Sequence, residues 1–251
     1  MAYWERLNEI IQREVVAERD RFFMAMLRPL GIEKGNLFAP DERQTRLLLE
    51  GARVGEAMAQ TNSFSKRITE GAFGSARYRD DSNWKFVALL NPMSQRADSY
   101  EQLDERASLF FEAIGASEAI LSMTPGQGAA YFSQYSDSSG HAFDGAATYR
   151  LRVPPNPPVT QFWEVTTYDI KTRAFLANGS NSGVGSNTAD LVRNSDGSVD
   201  VYASPNAPQG VEANWIRTIP GRAWFVYFRL FGPTEPFFER QFPLPDFERI
   251  N

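Results

Sequence analysis

Apolar residues recur at helical spacing at the start of the chain. Trp4, Leu7, Ile11, Val15, Phe22 and Met26 stand among Glu and Arg, the pattern of an amphipathic helix. Pro29 and Gly31 supply the stop. A second helix is predicted from Asp41, which stands to Gln44 as an N-cap to its N3 partner. Its body carries Gly51, Ala52, Gly55, Ala57 and Ala59, small residues that either permit close packing or simply weaken the helix. Thr61 to Asn83 is polar and turn-rich, and Trp84 to Leu90 reads as a strand stopped by Asn91-Pro92. In the third helix Ser99 and Gln102 form a capping box, with Leu103, Ala107, Phe110 and Ile114 as the apolar face.

From about Leu121 the period falls from helical to alternating. GQGAAYFSQYSD reads as a strand after a glycine turn, Asp137 to Gly145 as a loop, and ATYRLRV as a strand broken by Pro154 to Pro158. QFWEVTTYDIKTRAFLAN, Gln161 to Asn178, is a strand and turn. LVRNSDGSVDVYA predicts a hairpin turning at Asn194-Ser195-Asp196-Gly197, and AWFVYFRLF a long aromatic strand. SNSGVGSN, Ser180 to Asn187, lacks the strand and helix context of a nucleotide loop and reads as a flexible loop or lid. The fold class expected is α+β: an antiparallel β-sandwich, jelly-roll-like, over residues 121–251, with an N-terminal helical layer and one short strand over residues 1–120.

Composition narrows the chemistry. Aromatics make up 13% of the 251 residues, with 19 Phe and 5 Trp, enough for a large core. The net charge of −5 argues against nucleic acid and anionic membranes as partners. With no Cys, disulfides, thiolate metal sites and thiol catalysis are excluded, and with one His no His-rich metal site can form. No metal or cofactor is therefore expected. The charged, amphipathic start has no signal-peptide run. A soluble chain is expected, cytoplasmic if complete and periplasmic if trimmed from a longer parent.

The richest stretch for chemistry is FWEVTTYD. Alternation puts Phe162, Glu164, Thr166 and Tyr168 on one face, and Trp163, Val165, Thr167 and Asp169 on the other. Glu164 among aromatics is a candidate acid or base, since desolvation raises a carboxyl pKa; alternatively it pairs with Arg229 or Arg150. Asp169 is a second candidate, or a cap on the following turn. His141, in a Ser/Gly-rich loop, is a third, although no G-x-S-x-G elbow accompanies it. Trp163, Tyr168, Arg173, Trp215 and Tyr227 are candidate ligand contacts. Arg229, inside an aromatic strand, is a structural clamp or an anchor for a ligand carboxylate. Asp137, Asp144, Asp196 and Asp200 fit turn chemistry rather than a calcium loop.

One series of motifs also resembles a known family. Tyr131, DSSGHAFDG, TYRLRVP, FWEVTTYD, Asn178, NSDGSVDVY, Asn214-Trp215 and FRLFGP, in that order, resemble the bacterial family called domain of unknown function 1214, from about Leu121 onward. YWERLNEII, LRPLGIEKG and FAPDERQ resemble the helical connector of proteins that carry domain of unknown function 1254 in front of it. The resemblance implies a jelly-roll-like sandwich with a helical layer; two-domain members place a second β-rich domain ahead of the connector, at which this chain begins, as a short natural member or as a fragment or trimmed piece of a longer one. It implies no catalytic residues. Two functions are open: a metal-independent enzyme for a small organic or carbohydrate-like substrate, or a non-catalytic sugar-binding or oligomeric module. In the second, the Phe-rich tail EPFFERQFPLPDF docks on a neighbour or wraps its own domain.

Overall fold

The computed structural model describes residues 1–66, 74–91, 94–112, 124–177 and 181–251. The first predicted helix is two helices, α1 (Ala2–Arg13) and α2 (Arg21–Leu27). Between them Glu14 turns extended and the β-branched pair Val15-Val16 follows, residues poor at continuing a helix. The stop falls as predicted: a single 3₁₀ turn holds Pro29, and Gly31 adopts φ 78°, a left-handed cap that glycine takes without strain. In α3 (Glu42–Ser65) the Asp41 carboxylate accepts the Gln44 backbone N–H at 2.7 Å, and Lys66 closes the helix in a left-handed conformation.

The third helix departs from its prediction. α4 spans Leu103–Glu112. Ser99 makes no capping box, because Gln102 is used elsewhere: its Oε1 accepts Asn91 N–H at 2.7 Å, and its Nε2 donates to Leu89 O at 3.4 Å. The buried residues of α4 are Glu105, Ser108, Leu109 and Glu112, whereas Phe110 is 46% exposed. Ile114 lies outside the described residues.

The strands are β1 (Lys85–Phe86), β2 (Ala129–Gln134), β3 (Tyr149–Val153), β4 (Trp163–Asp169), β5 (Gly183–Gly185), β6 (Val199–Ser204), β7 (Trp215–Arg217), β8 (Trp224–Phe231) and β9 (Glu248–Arg249), with a short helix α5 (Glu235–Phe238) before β9. They form a five-stranded antiparallel sheet, β1-β2-β8-β4-β5, and a four-stranded sheet, β7-β6-β3-β9, in which β6 and β7 run parallel. One apolar cluster draws Phe132, Val165 and Phe228 from the first sheet, Leu151 and Val201 from the second, and Phe247 from the tail. The tail therefore packs on its own domain, where the Trp84 indole donates to Pro245 O at 2.8 Å. Burying a Phe side chain contributes roughly 1.5–3 kcal/mol.

Two local expectations are corrected. The Gly-rich run forms strand β5, paired with Glu164 and Thr166 of β4, rather than a lid. A Cβ on Gly185 would fall 2.6 Å from Trp163 O, and one on Gly183 2.9 Å from Val165 O, so glycine is needed for close backbone approach. The Asn194–Gly197 turn does close, Asn194 N–H reaching Ser198 O at 2.8 Å. Residues 191–193, however, join no ladder. The Asn214 side chain holds Val192 instead, through bonds of 2.9 and 2.8 Å, and β6 pairs with β3 and β7. Among the described residues no helix is long and apolar enough to cross a membrane.

Candidate functional site

Strand alternation divides β4 as its sequence implies. Trp163 and Val165 enter the core between the sheets. Glu164, Thr166 and Tyr168 face the helices, directly opposite Arg229, Tyr227 and Phe225 of β8. There Glu164 is paired: Arg229 Nη1 lies 3.4 Å from its Oε2, with 34% and 22% of the two side chains exposed. Arg229 Nη2 also donates to the Tyr168 hydroxyl, and its guanidinium lies over the rings of Tyr168 and Tyr131.

Next to this pair is a group of ionisable side chains enclosed by α3, α4 and the five-stranded sheet. Lys66 and Glu112 are fully enclosed and ion-paired. The Tyr135 hydroxyl donates to the other Glu112 oxygen, and Lys66 Nζ also donates to Val87 O at 3.2 Å. Arg173 Nη2 reaches Ser63 Oγ at 3.3 Å and Tyr135 Oη at 3.4 Å, and stands 3.8 Å from Glu112. Its guanidinium lies 4.3 Å from the Phe225 ring centre and 4.8 Å from that of Phe111, favourable cation–π positions. Tyr227 completes the group, 5.0 Å ring to ring from Tyr168. Burial pulls the Lys66 ammonium below its usual range, against the raising effect of Glu112. Burial, reinforced by Glu112, pushes the Tyr135 and Tyr227 phenols well above theirs.

Local structure aims these groups. The Asp169 carboxylate accepts N–H bonds from Lys171 and Thr172 at 3.0 and 2.8 Å, and the Thr172 hydroxyl at 3.1 Å. Arg222 pairs with it at 2.9 Å. Burial alone would raise this carboxyl, but the bonds outweigh it and hold the pKa below the usual value. The turn so tightened leads into Arg173, left-handed at φ 61°. Lys66 is left-handed too, at φ 38°. Left-handed backbone costs a residue with a Cβ roughly 1–2 kcal/mol, so both cations of the group sit on strained backbone.

Comparison with known proteins places part of this arrangement. Residues 128–235 match the family model described as "Protein of unknown function (DUF1214)". No curated protein matches the chain. Among solved structures, the VPA0106 protein from Vibrio parahaemolyticus is similar with a TM-score of 0.52 at 19% identity, covering 98% of this chain and 55% of that one. An uncharacterized protein from Burkholderia cenocepacia gives a TM-score of 0.34 at 16% identity, covering 93% and 50%. The chain thus spans about half the length of these structures. The DUF1214 stretch supplies Tyr135, Glu164, Arg173, Tyr227 and Arg229, while Ser63, Lys66 and Glu112 come from residues before it.

Of the residues singled out in the sequence, Glu164, Tyr168, Arg173, Tyr227 and Arg229 are brought onto one side of the sheet. The others are not. Trp163 is in the core on the opposite face, the placement strand alternation requires. Asp169 is the turn cap just described. Trp215 lies on β7 of the other sheet, its indole donating to Ser204 O at 2.9 Å. His141 has 81% of its side chain exposed, 3.9 Å from Asp137; Asp137 is itself occupied by the N–H groups of Ser139 and His141. Sequence reasoning missed Lys66, Glu112 and Tyr135. Glu112 at i+7 from Glu105 on one face of α4 was the available signal. Among the described residues no cluster of His, Asp and Glu could hold a metal ion.

Proposed function

We propose that the helix-facing side of the five-stranded sheet is the active site of a metal-independent enzyme for a small organic molecule. In this reading Glu112 and Tyr135 supply the acid–base chemistry, and Lys66 sets the charge around them. One observation carries it: Lys66 and Glu112 are wholly enclosed and joined to Tyr135 and Arg173. Removing charges from water costs several kcal/mol each, and hydrophobic residues of similar volume often replace a buried ion pair at no loss of stability. Buried ionisable clusters with shifted pKa values are a hallmark of functional sites. The strained backbones of Lys66 and Arg173 point the same way. The phenol proton of Tyr135 can pass to a substrate oxygen, and the Lys66 ammonium, paired with the other Glu112 oxygen, can return one to the phenolate through that carboxylate.

The accompanying fold reading is a jelly-roll-like sandwich with a helical layer, supported by the core common to both sheets. The helical part then corresponds to the connector of a longer, two-domain protein, in keeping with the greater length of the similar Vibrio structure.

A thermal-shift screen against sugars, aliphatic acids, aromatic acids and divalent metals tests the site, because a ligand of the native state raises Tm by mass action. A small organic ligand should shift the melt, and Tyr135→Phe should bind it yet abolish any turnover followed by NMR. A flat response from a cooperatively melting chain would overturn the reading.

A second reading, an assembly module, draws support from the helical layer. Ile10, Val54 and Met58 are exposed there, and Tyr3, Leu7, Ile10, Phe23 and Phe110 line a groove of about 750 Å³. Apolar surface of this kind marks association. A monodisperse monomer in light scattering would count against it.

A further inference from the structure

The ionisable group contains a cation whose hydrogen-bonding capacity is largely unused. Arg173 has 12% of its side chain exposed, yet its Nε and Nη1 have no hydrogen-bond partner among the described residues. Its third nitrogen makes only the long bonds to Ser63 and Tyr135. Its nearest carboxylate, Glu112, lies 3.8 Å away and is in close contact with Lys66 instead. One buried carboxylate is thus shared between two cations, and the guanidinium is charged at any accessible pH. The large majority of buried side-chain polar atoms have a hydrogen-bond partner.

Further polar atoms on this side of the sheet share this property, Arg229 Nε among them. The Tyr227 hydroxyl and Thr166 Oγ1 are buried without a hydrogen-bond partner. The two residues stand directly opposite each other on β8 and β4, with Tyr227 7% exposed and Thr166 1%. Burial keeps the Tyr227 phenol protonated at neutral pH, so it is a donor. The guanidinium carbon lies over the rings of Phe225 and Phe111, a setting suited to a planar, delocalised cation. A cation with two idle nitrogens, beside two idle hydroxyls, repels metal ions and gives a neutral ligand no reason to be preferred.

We propose that the small molecule taken by this site carries a carboxylate, received by the Arg173 guanidinium with the hydroxyls of Tyr227 and Thr166 as its further hydrogen-bond partners. The inference rests on the site reading above and names the substrate class for it. Guanidinium and carboxylate match in plane and in charge, and charge-assisted bonds of this type are about twice as strong as neutral ones.

The test uses the whole chain and paired probes of equal shape: acetate against acetamide, benzoate against benzamide and glutarate against glutaramide, with inorganic phosphate as a separate arm. Affinities come from calorimetry and from concentration-dependent melting. At least one carboxylate should bind roughly tenfold or more tightly than its amide. Tyr227→Phe should weaken that carboxylate by about tenfold while leaving the ligand-free Tm unchanged or higher, since the lost hydroxyl is buried and has no partner among the described residues. A hydroxyl with only a structural role would not separate the two readouts. Arg173→Lys, with its fold verified by circular dichroism, should lose at least as much affinity.

Equal binding of acids and amides, phosphate binding without carboxylate binding, or full carboxylate affinity in both variants would each overturn the inference. The two readings fail separately. A neutral sugar that binds and is turned over, with turnover abolished in Tyr135→Phe, would keep the active site and overturn the acid. Carboxylate binding without turnover would support the acid and remove the enzyme.

Discussion

On one side of β4 and β8 stand Trp163, Val165, Trp224, Val226, Phe228 and Leu230, all enclosed in the core shared by the two sheets. On the other side of the same strands stand Glu164, Thr166, Tyr168, Tyr227 and Arg229, beneath helices that add Lys66 and Glu112. The first face is held mainly by apolar packing, although β4 continues on it with buried Thr167 and Asp169, and Thr167 Oγ1 and Trp224 Nε1 have no partner among the described residues. The second is just as thoroughly covered near Tyr227, yet it retains charges of the kind that well-packed apolar residues often replace without loss of stability. Two faces built on the same backbone show that enclosure alone does not decide composition. What is enclosed for stability is apolar, and what is enclosed despite its cost in desolvation is the better candidate for chemistry.

The contrast can be broken or sharpened by substitution. On the apolar side, Phe247→Ala should cost about 3–5 kcal/mol in urea unfolding, the usual loss for a truncated core Phe. A cost below about 1 kcal/mol would show that the tail is not part of this core. On the polar side, Glu112→Gln should cost about 3 kcal/mol, because it leaves Lys66 and Arg173 enclosed without their shared carboxylate. If the protein is instead unaffected, the cluster is solvated.

Asp169→Asn should cost roughly 1–3 kcal/mol and should also change the acid limb of stability. The Asp169 carboxyl titrates below its unfolded value of 3.8 when folded. Its contribution is complete above that value and is lost as pH falls through the lower folded pKa. Melting temperatures followed downward from about pH 4 should therefore fall less steeply in Asp169→Asn than in the parent. An unchanged slope would contradict the capping geometry. Glu164→Gln should cost at most about 1 kcal/mol, since its pair with Arg229 is partly open to solvent. The smallest effect belongs to His141→Ala, within about 0.5 kcal/mol, with ligand affinity intact.

Much of the fold could be read because its determinants are local. The Asp41 cap, the Gly31 stop, the alternation of β4 and the long strand β8 each depend on a few adjacent residues. The Ser99–Gln102 box failed because Gln102 is claimed by Asn91, a contact local rules do not weigh. The site was only half legible. Alternation put Glu164 and Tyr168 together, and it also placed Trp163 on the opposite face, so a pocket lined by both Trp163 and Tyr168 was excluded by the same rule. Helix α4 keeps Leu103 and Ala107 half-buried but exposes Phe110. Hydrophobic spacing sends Phe110 inward, whereas the glutamates Glu105 and Glu112 are buried. The burial of Glu112 depends on Lys66, Tyr135 and Arg173, which arrive from three distant segments, whereas Glu105 is met by the hydroxyl of nearby Tyr100. A segment that breaks its own local rule is where function is to be sought.

The tail has one more consequence. Trp84 and Pro245, joined through the indole, are 161 positions apart, and Phe247 lies in the same core as Trp84 and Phe132. On the ribosome, the contacts of α1 to α3 can form as soon as those helices emerge. The aromatic centre cannot close until residue 247 has been made. Such distant pairing slows folding, and a nascent chain with so many rings exposed is prone to aggregate. Folding in the cell should therefore finish only after most of the chain has been synthesised, with chaperones engaging it in the interval before the tail arrives.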